Sequence, residues 1–146
     1  IPVVLYNVPG RTGGNIAAGT TLKLAEIKNI VAVKEASGNF SQISNILQHM
    51  PDDFSVLSGD DADALPIIAL GGDGCISVVA NQMPKEFVLL VNSALENNML
   101  KAREMHETLL PLMEANFIET NPLPVKAVLA AMGKIKEIYR LPLVPM

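Results

Sequence analysis

The feature that most constrains the fold is a fourfold alternation of a short apolar segment with a longer helical pattern. The apolar segments are continuous and rich in β-branched residues, which is typical of strands that are buried on both faces of a parallel sheet. We predict strands at 3–7, 30–35, 54–58 and 75–79, and helices at 20–28, 39–50, 62–70 and 84–95, where Asn39 or Ser41 caps the second and Pro84 opens the fourth.

Two architectures fit four strand-then-helix units. One is an open, doubly wound sheet, and the other is a (β/α)8 barrel, of which four units are one half. The doubly wound fold usually carries a phosphate-binding loop, and the glycine-rich segment 10–14 matches neither G-x-G-x-x-G nor a Walker loop. The pattern therefore favours the half-barrel and leaves the doubly wound sheet open.

The strands stop near residue 98, and two long helical patterns follow at 100–117 and 123–138. We expect residues 1–98 to form the four βα units and residues 99–146 to form a truncated C-terminal helical segment. The chain opens on Ile1 within a strand-like run and closes without a polar tail, so we expect a piece of a longer chain. A complete domain with trimmed ends is the other interpretation.

Composition excludes several classes of function. The 146 residues carry a net charge of −4 with no basic run, so we expect no nucleic-acid partner and no anionic membrane surface as a partner. No apolar run approaches the roughly 18 residues of a membrane span. Cys75 is the sole cysteine, which suits a reducing compartment, and we expect a cytoplasmic protein.

The chemistry is expected at the carboxyl ends of the strands, as in both candidate folds. Lys34 ends the second strand in a run with no earlier charge, on the same face as the small Ala32. Desolvation lowers the pKa of an ammonium group, and a neutral amine attacks carbonyl groups. The same pattern also fits a lysine that reaches solvent or pairs with Glu35.

Other polar residues near the strand ends have both a chemical and a structural interpretation. Tyr6 could pass protons or cap the core, and Arg11 could clamp a carboxylate or be solvated. Asp60 and Asp61 are most simply helix caps. His49 and His106 lie on separate predicted helices, and neither has a second metal-binding side chain three or four residues away on the same helix. We therefore expect no metal site.

Five segments of the chain, in order, resemble the dihydrodipicolinate synthase family of class I aldolases. Residues 6–13, YNVPGRTG, are similar to its Y-N-x-P-x-R-T-G segment, and residues 33–39, VKEASGN, are similar to its Schiff-base lysine segment. The remaining segments are SGDD at 58–61, GGDGCISV at 71–78 and NPLPVK at 121–126, and together the five span essentially the whole chain.

The resemblance implies strands five to eight of a (β/α)8 barrel, plus part of a C-terminal helical extension. It implies that the complete enzyme condenses pyruvate with L-aspartate semialdehyde on the route to lysine and diaminopimelate, as a homotetramer and without a cofactor. By the same resemblance Lys34 forms the imine, Tyr6 relays protons, Arg11 holds the aldehyde's carboxylate, and the backbone carbonyl of Ile76 faces pyruvate.

The rest of the family's proton relay, its grip on the pyruvate carboxylate and its lysine feedback site lie in the half that precedes these strands. We therefore expect residues 1–146 alone to be inactive. Two alternatives stay open: another pyruvate-dependent aldolase, such as N-acetylneuraminate lyase or a keto-deoxy-sugar-acid aldolase, and a non-catalytic half-barrel that serves as an assembly module.

Overall fold

The computed structural model describes residues 1–146 and contains one parallel sheet of four strands, in the order β1-β2-β3-β4. Each strand pairs with the next one along the chain, so there is no reversal of strand order of the kind that defines a doubly wound sheet. The half-barrel prediction is therefore confirmed. The strands are β1 Val3–Asn7, β2 Ile30–Glu35, β3 Ser55–Ser58 and β4 Gly74–Cys75.

Seven helices and one 3₁₀ turn cover the sheet and extend beyond it. The structure confirms Asn39 as the cap of the third helix, where its side chain accepts a hydrogen bond from the backbone N–H of Gln42, and Pro84 as the first residue of the fifth. The helices are α1 Pro9–Thr12, α2 Ala18–Ala25, α3 Phe40–His49, α4 Ala64–Ala69, α5 Pro84–Leu95, α6 Met99–Ala115 and α7 Leu123–Ala131, and the 3₁₀ turn is Val79–Asn81.

Two apolar clusters hold these layers together. The first lies between the sheet and its helices and includes Val33, Ile46 and Val56, which are fully buried. The second joins α4, α5 and α6 around Leu90 and Met113. None of the helices combines the length and the apolar character that crossing a bilayer requires.

The predicted fourth strand, 75–79, was wrong in extent. Only Gly74 and Cys75 pair with β3, because the chain turns away beyond them. The carboxylate of Asp61 accepts hydrogen bonds from the backbone N–H groups of Val78 and Val79, which draws this part of the chain into the 3₁₀ turn.

The last helix was also predicted too long. α7 ends at Ala131 rather than near residue 138, because Gly133 adopts a left-handed conformation with φ of 69° that terminates the helix. The predicted glycine-rich loop contains the short helix α1, and β3 starts at Ser55 rather than Phe54. α5 has the predicted bounds, and the bounds of α2, α3, α4 and α6 differ from the prediction by one to three residues.

Candidate active site

Tyr6 and Lys34 face each other across the ends of β1 and β2. They are direct register partners in the parallel ladder, so their side chains leave the sheet on the same face. The Nζ atom of Lys34 lies 4.3 Å from the centroid of the Tyr6 ring. The ring face is electron-rich and attracts the ammonium group, which gives the amine a fixed position above the sheet.

Gly59, just beyond β3, makes room for this lysine. A Cβ atom at Gly59 would lie 2.8 Å from the Cβ of Ala36, 3.1 Å from the carbonyl oxygen of Glu35 and 3.1 Å from the Cε of Lys34. Backbone and side chains already fill the space that any larger residue would need. The SGDD segment thus contributes to the site in two ways: Gly59 lets the chain pass close to Lys34, and Asp60 provides a carboxylate.

The next residues along β1 and β2, Asn7 and Glu35, point to the opposite face and are buried. The Asn7 amide donates to Glu35 Oε1 over 2.5 Å, and the Ser37 hydroxyl donates to Glu35 Oε2 over 2.5 Å. The Gln42 amide approaches Oε1 at 3.4 Å. Both oxygens of Glu35 are therefore occupied by local donors.

Lys34 makes no ion pair with Glu35, so that interpretation of the sequence was wrong. The two side chains lie on opposite faces of β2, as strand alternation requires. The structure contains one salt bridge, between Lys101 and Glu104 at 3.0 Å on the surface of α6.

A cavity of about 610 Å³ opens over Tyr6 and Lys34. Two groups of residues line it: the strand ends with their following loops, and the connection between α6 and α7 at 117–121. Arg11 in α1 also lines the cavity, is exposed and has no carboxylate within salt-bridge distance. The cavity thus brings together three of the four predicted site residues: Tyr6, Arg11 and Lys34.

The fourth predicted site residue, Ile76, lies directly after β4 and does not line this cavity. Its side chain is exposed, and its N–H donates to the carbonyl oxygen of Ser58 over 2.9 Å. The proposed role of its backbone carbonyl stays a prediction. The sequence did not predict the cavity wall at 117–121, although Asn121 opens the NPLPVK segment that resembles the family.

The two aspartates after β3 have different surroundings. Asp60 lines the cavity, and its carboxylate accepts a hydrogen bond from the Ala62 N–H at 2.9 Å. Asp61 is buried and caps the 3₁₀ turn instead of its own helix.

Partial burial, with a contribution from the nearby Asp60, raises the pKa of Asp63. Burial, followed by the charge of Asp61, raises the pKa of the Cys75 thiol well above its ordinary range.

No three His, Cys, Asp or Glu side chains come close enough together to hold a metal ion. The chemistry available at the cavity is that of an amine, a phenol, a guanidinium and carboxylates. An amine beside a phenol, with a guanidinium lining the same cavity, can attack a carbonyl compound, move protons and hold an anionic group.

Comparison with known proteins gives one consistent result. A relative from Koribacter versatilis, named 4-hydroxy-tetrahydrodipicolinate synthase, is 59% identical over 145 residues, covering 99% of this chain and 48% of the relative. The crystal structure of dihydrodipicolinate synthase from Aquifex aeolicus superposes with a TM-score of 0.97 at 46% identity, covering 100% of this chain and 50% of the other.

A third relative is the chloride-inhibited dihydrodipicolinate synthase from Acinetobacter baumannii, a structure complexed with pyruvate. It is 39% identical with a TM-score of 0.96, and the match covers 100% of this chain and 50% of that one. The chain thus spans about half the length of the curated relatives it matches. The family description "Dihydrodipicolinate synthetase family" matches residues 1–146, and the chain belongs to that family.

Proposed function

We propose that residues 1–146 supply strands five to eight of a (β/α)8 barrel that condenses pyruvate with L-aspartate semialdehyde to 4-hydroxy-tetrahydrodipicolinate. The observation that carries the proposal is the position of the Lys34 amine, 4.3 Å from the Tyr6 ring centroid within the cavity. Names of the relatives and the pyruvate bound to the Acinetobacter baumannii enzyme support the same assignment.

Lys34 acts as the nucleophile. Its neutral amine attacks the keto carbon of pyruvate to give a carbinolamine. A proton delivered to the carbinolamine oxygen lets water leave, and the resulting iminium ion withdraws electrons from the neighbouring methyl group. The methyl group gives up a proton and becomes an enamine. That carbon attacks the aldehyde carbon, and the α-amino group of the adduct then displaces Lys34 from the imine carbon as the product ring closes.

Tyr6 moves protons in this sequence. Its ring centroid lies 4.3 Å from the amine, and both residues line the same cavity, which supports this role. Formation and dehydration of the carbinolamine and addition to the aldehyde transfer protons at oxygen, and a phenol is a competent acid and base for such transfers.

Arg11 distinguishes the proposed aldehyde from the sugars that related aldolases cleave. A guanidinium binds a carboxylate through two parallel hydrogen bonds, and L-aspartate semialdehyde carries a carboxylate close to its aldehyde group. Arg11 is free to do so because no acidic side chain of this chain pairs with it. The Ile76 carbonyl oxygen remains the proposed partner on the pyruvate side.

The reaction is proposed for the complete barrel, in a cytoplasmic homotetramer built as a dimer of dimers. Residues 1–98 would form its second set of βα units, and residues 99–146 would belong to its helical extension. β1 and β4 are the unpaired edges of the sheet, so the cavity is open along both sides in these residues alone. An open cavity admits water, which weakens every charge interaction that the chemistry needs.

The test compares two proteins: residues 1–146 alone, and residues 1–146 joined to the first four βα units of the Koribacter versatilis relative. Steady-state turnover is measured with pyruvate and L-aspartate semialdehyde, and cleavage is measured with N-acetylneuraminate. We expect synthase turnover from the joined protein and none from residues 1–146 alone. Cleavage of the sugar acid without synthase turnover would contradict the proposal, and the oligomeric state of both proteins is measured alongside.

A further inference from the structure

The connection between α6 and α7, residues 117–121, forms one wall of the cavity but has few bonds of its own. The Phe117 N–H donates to the Glu114 carbonyl at 2.9 Å, and the Ile118 N–H reaches the Ala115 carbonyl at only 3.4 Å. The side chain of Ile118 is 72% exposed, so packing does not fix the wall either. Its position must come largely from the residues that flank it.

Asn116, which directly precedes this wall, is held by a reciprocal amide pair. The Gln82 Nε2 donates to Asn116 Oδ1 over 2.9 Å, and the Asn116 Nδ2 donates to Gln82 Oε1 over 2.8 Å. Both residues are almost completely buried, with exposed fractions of 4% for Gln82 and 1% for Asn116. A helix-ending residue is usually solvated, so this burial is a distinctive feature of the C-terminus of α6.

Gln82, the other residue of the pair, is also connected to the cavity. Gln82 ends the 3₁₀ turn Val79–Asn81, and the buried carboxylate of Asp61 holds the start of that turn through the Val79 N–H at 2.8 Å. Asp61 follows Asp60, which lines the cavity. Two sets of hydrogen bonds therefore link the two cavity walls. Asp61, next to Asp60, holds the 3₁₀ turn, and the amide pair joins the end of that turn to Asn116, next to the wall at 117–121.

The surrounding contacts are apolar and do not determine one position by themselves. Leu109 and Met113 of α6 pack against Val79 and the helices α4 and α5 in one apolar cluster. Apolar contacts are non-directional, so α6 could slide by a fraction of an ångström at little cost. A reciprocal amide pair loses both hydrogen bonds on the same displacement and leaves buried polar groups unsatisfied.

We infer that Gln82 and Asn116 are positioning residues that fix the wall at 117–121 and thereby set the affinity of the site for the incoming aldehyde. The inference rests on the proposed function for the identity of that aldehyde. Tyr6 and Lys34 line the cavity from the ends of β1 and β2, which belong to a different part of the fold from the connection at 117–121, so the pair acts on aldehyde binding and leaves imine formation with pyruvate intact.

The experiment uses Gln82→Met, Asn116→Leu and the double variant, made in the joined protein. Each single variant leaves one buried amide unpartnered, so its melting temperature should fall, and the double variant should recover most of that loss. The KM for L-aspartate semialdehyde should rise by about 10-fold in all three, because a misplacement near 1 Å can cost up to about 10²-fold. Adduct formation by pyruvate at Lys34 should not change.

Asn81→Leu is the matched control, because Asn81 is the neighbouring amide, is exposed, and contacts only the Val78 carbonyl within its own turn. Its KM should equal that of the unmodified protein. Recovery of the normal KM in the double variant would overturn the inference, because stability alone would then explain the single variants. An equal rise in KM in Asn81→Leu would overturn it as well.

Hydrogen exchange separates this inference from the proposed function. Amide protons of residues 117–121 should exchange faster in the double variant than in the unmodified protein, although the two are similarly stable. If the unmodified protein forms no adduct at Lys34, the proposed function fails, and exchange still decides whether the amide pair fixes the wall. Unchanged exchange in all three variants would overturn the inference.

Discussion

The two faces of the β1–β2 pair differ sharply although their residues alternate along the same strands. On one face Tyr6 is 44% exposed and Lys34 is half-buried, and their side chains meet through a cation–ring contact. On the other face Asn7 is 0% and Glu35 1% exposed, and their side chains hydrogen-bond each other and their neighbours.

This difference is the one expected if the open face carries the proposed reactive groups and the buried face carries groups that support them. Groups that must bind substrate and exchange protons need unsatisfied hydrogen-bonding capacity, whereas groups that hold the strand ends in place need all of theirs satisfied. A substitution on the open face should therefore change chemistry with little effect on stability. A substitution on the buried face should change stability first.

Tyr6→Phe in the joined protein is the strongest test of the open face. Loss of a positioned acid–base group typically lowers the rate by about 10²- to 10⁴-fold, and we expect kcat for the condensation to fall within that range. Unfolding free energy should change by less than about 0.5 kcal/mol, since the side chain is nearly half exposed. Tyr139→Phe is the control, and a full rate in Tyr6→Phe would contradict the assignment.

Arg11→Ala should have the next largest effect. Removing a charged hydrogen bond to substrate costs about 2–4 kcal/mol, which lowers kcat/KM for L-aspartate semialdehyde by roughly 30- to 800-fold. Trapping of pyruvate at Lys34 should be unaffected, because the proposed partner of Arg11 is the carboxylate of the aldehyde and not pyruvate. Arg103→Ala on the exposed surface of α6 serves as the control. Loss of trapping in Arg11→Ala would show that Arg11 has a different role.

Glu35→Gln tests the buried face. Both carboxylate oxygens of Glu35 accept hydrogen bonds from N–H groups, so an amide nitrogen would replace one acceptor and oppose either the Asn7 amide or the Ser37 backbone N–H. We expect a loss of about 1–3 kcal/mol in unfolding free energy by denaturant titration. Glu26→Gln, at an exposed position, should cost almost nothing. A stable Glu35→Gln protein would remove the distinction between the two faces.

The smallest effect concerns Cys75, whose thiol has a pKa raised chiefly by burial. The unfolded thiol ionises near its ordinary pKa of 9.0, while the folded thiol stays protonated, so the stability that Cys75 contributes is lost as pH rises above about 9. The unmodified protein should lose stability more steeply than Cys75→Ala between about pH 8.5 and 10.5. Parallel slopes in the two proteins would contradict the assigned pKa direction.

Much of the fold could be predicted because the strands carry a continuous apolar signal. β1 and β2 were placed with correct bounds, and the positions of Tyr6, Arg11 and Lys34 near strand ends predicted that they would share one site. The resemblance of five ordered segments supplied the chemistry that pattern alone left open. It also covered the whole chain, as the family match confirms.

What could not be predicted depends on contacts between residues distant in sequence. β4 is short because Asp61, 17 and 18 residues earlier, binds the N–H groups of Val78 and Val79. The Gln82–Asn116 pair spans 34 residues, and neither amide stands out in the sequence. Nothing local indicates that the turn at 117–121 reaches the cavity, since that follows only from the packing of α6 on α5.

The most direct test of the account is to map where pyruvate becomes attached. The joined protein is incubated with pyruvate, reduced with borohydride and digested, and the modified peptide is identified by mass spectrometry. We expect a reduced adduct on Lys34, absent in Lys34→Arg and in samples without pyruvate. An unmodified Lys34 with the adduct on Lys23, Lys28 or Lys126 would contradict the central claim that the amine above the Tyr6 ring is the reactive group.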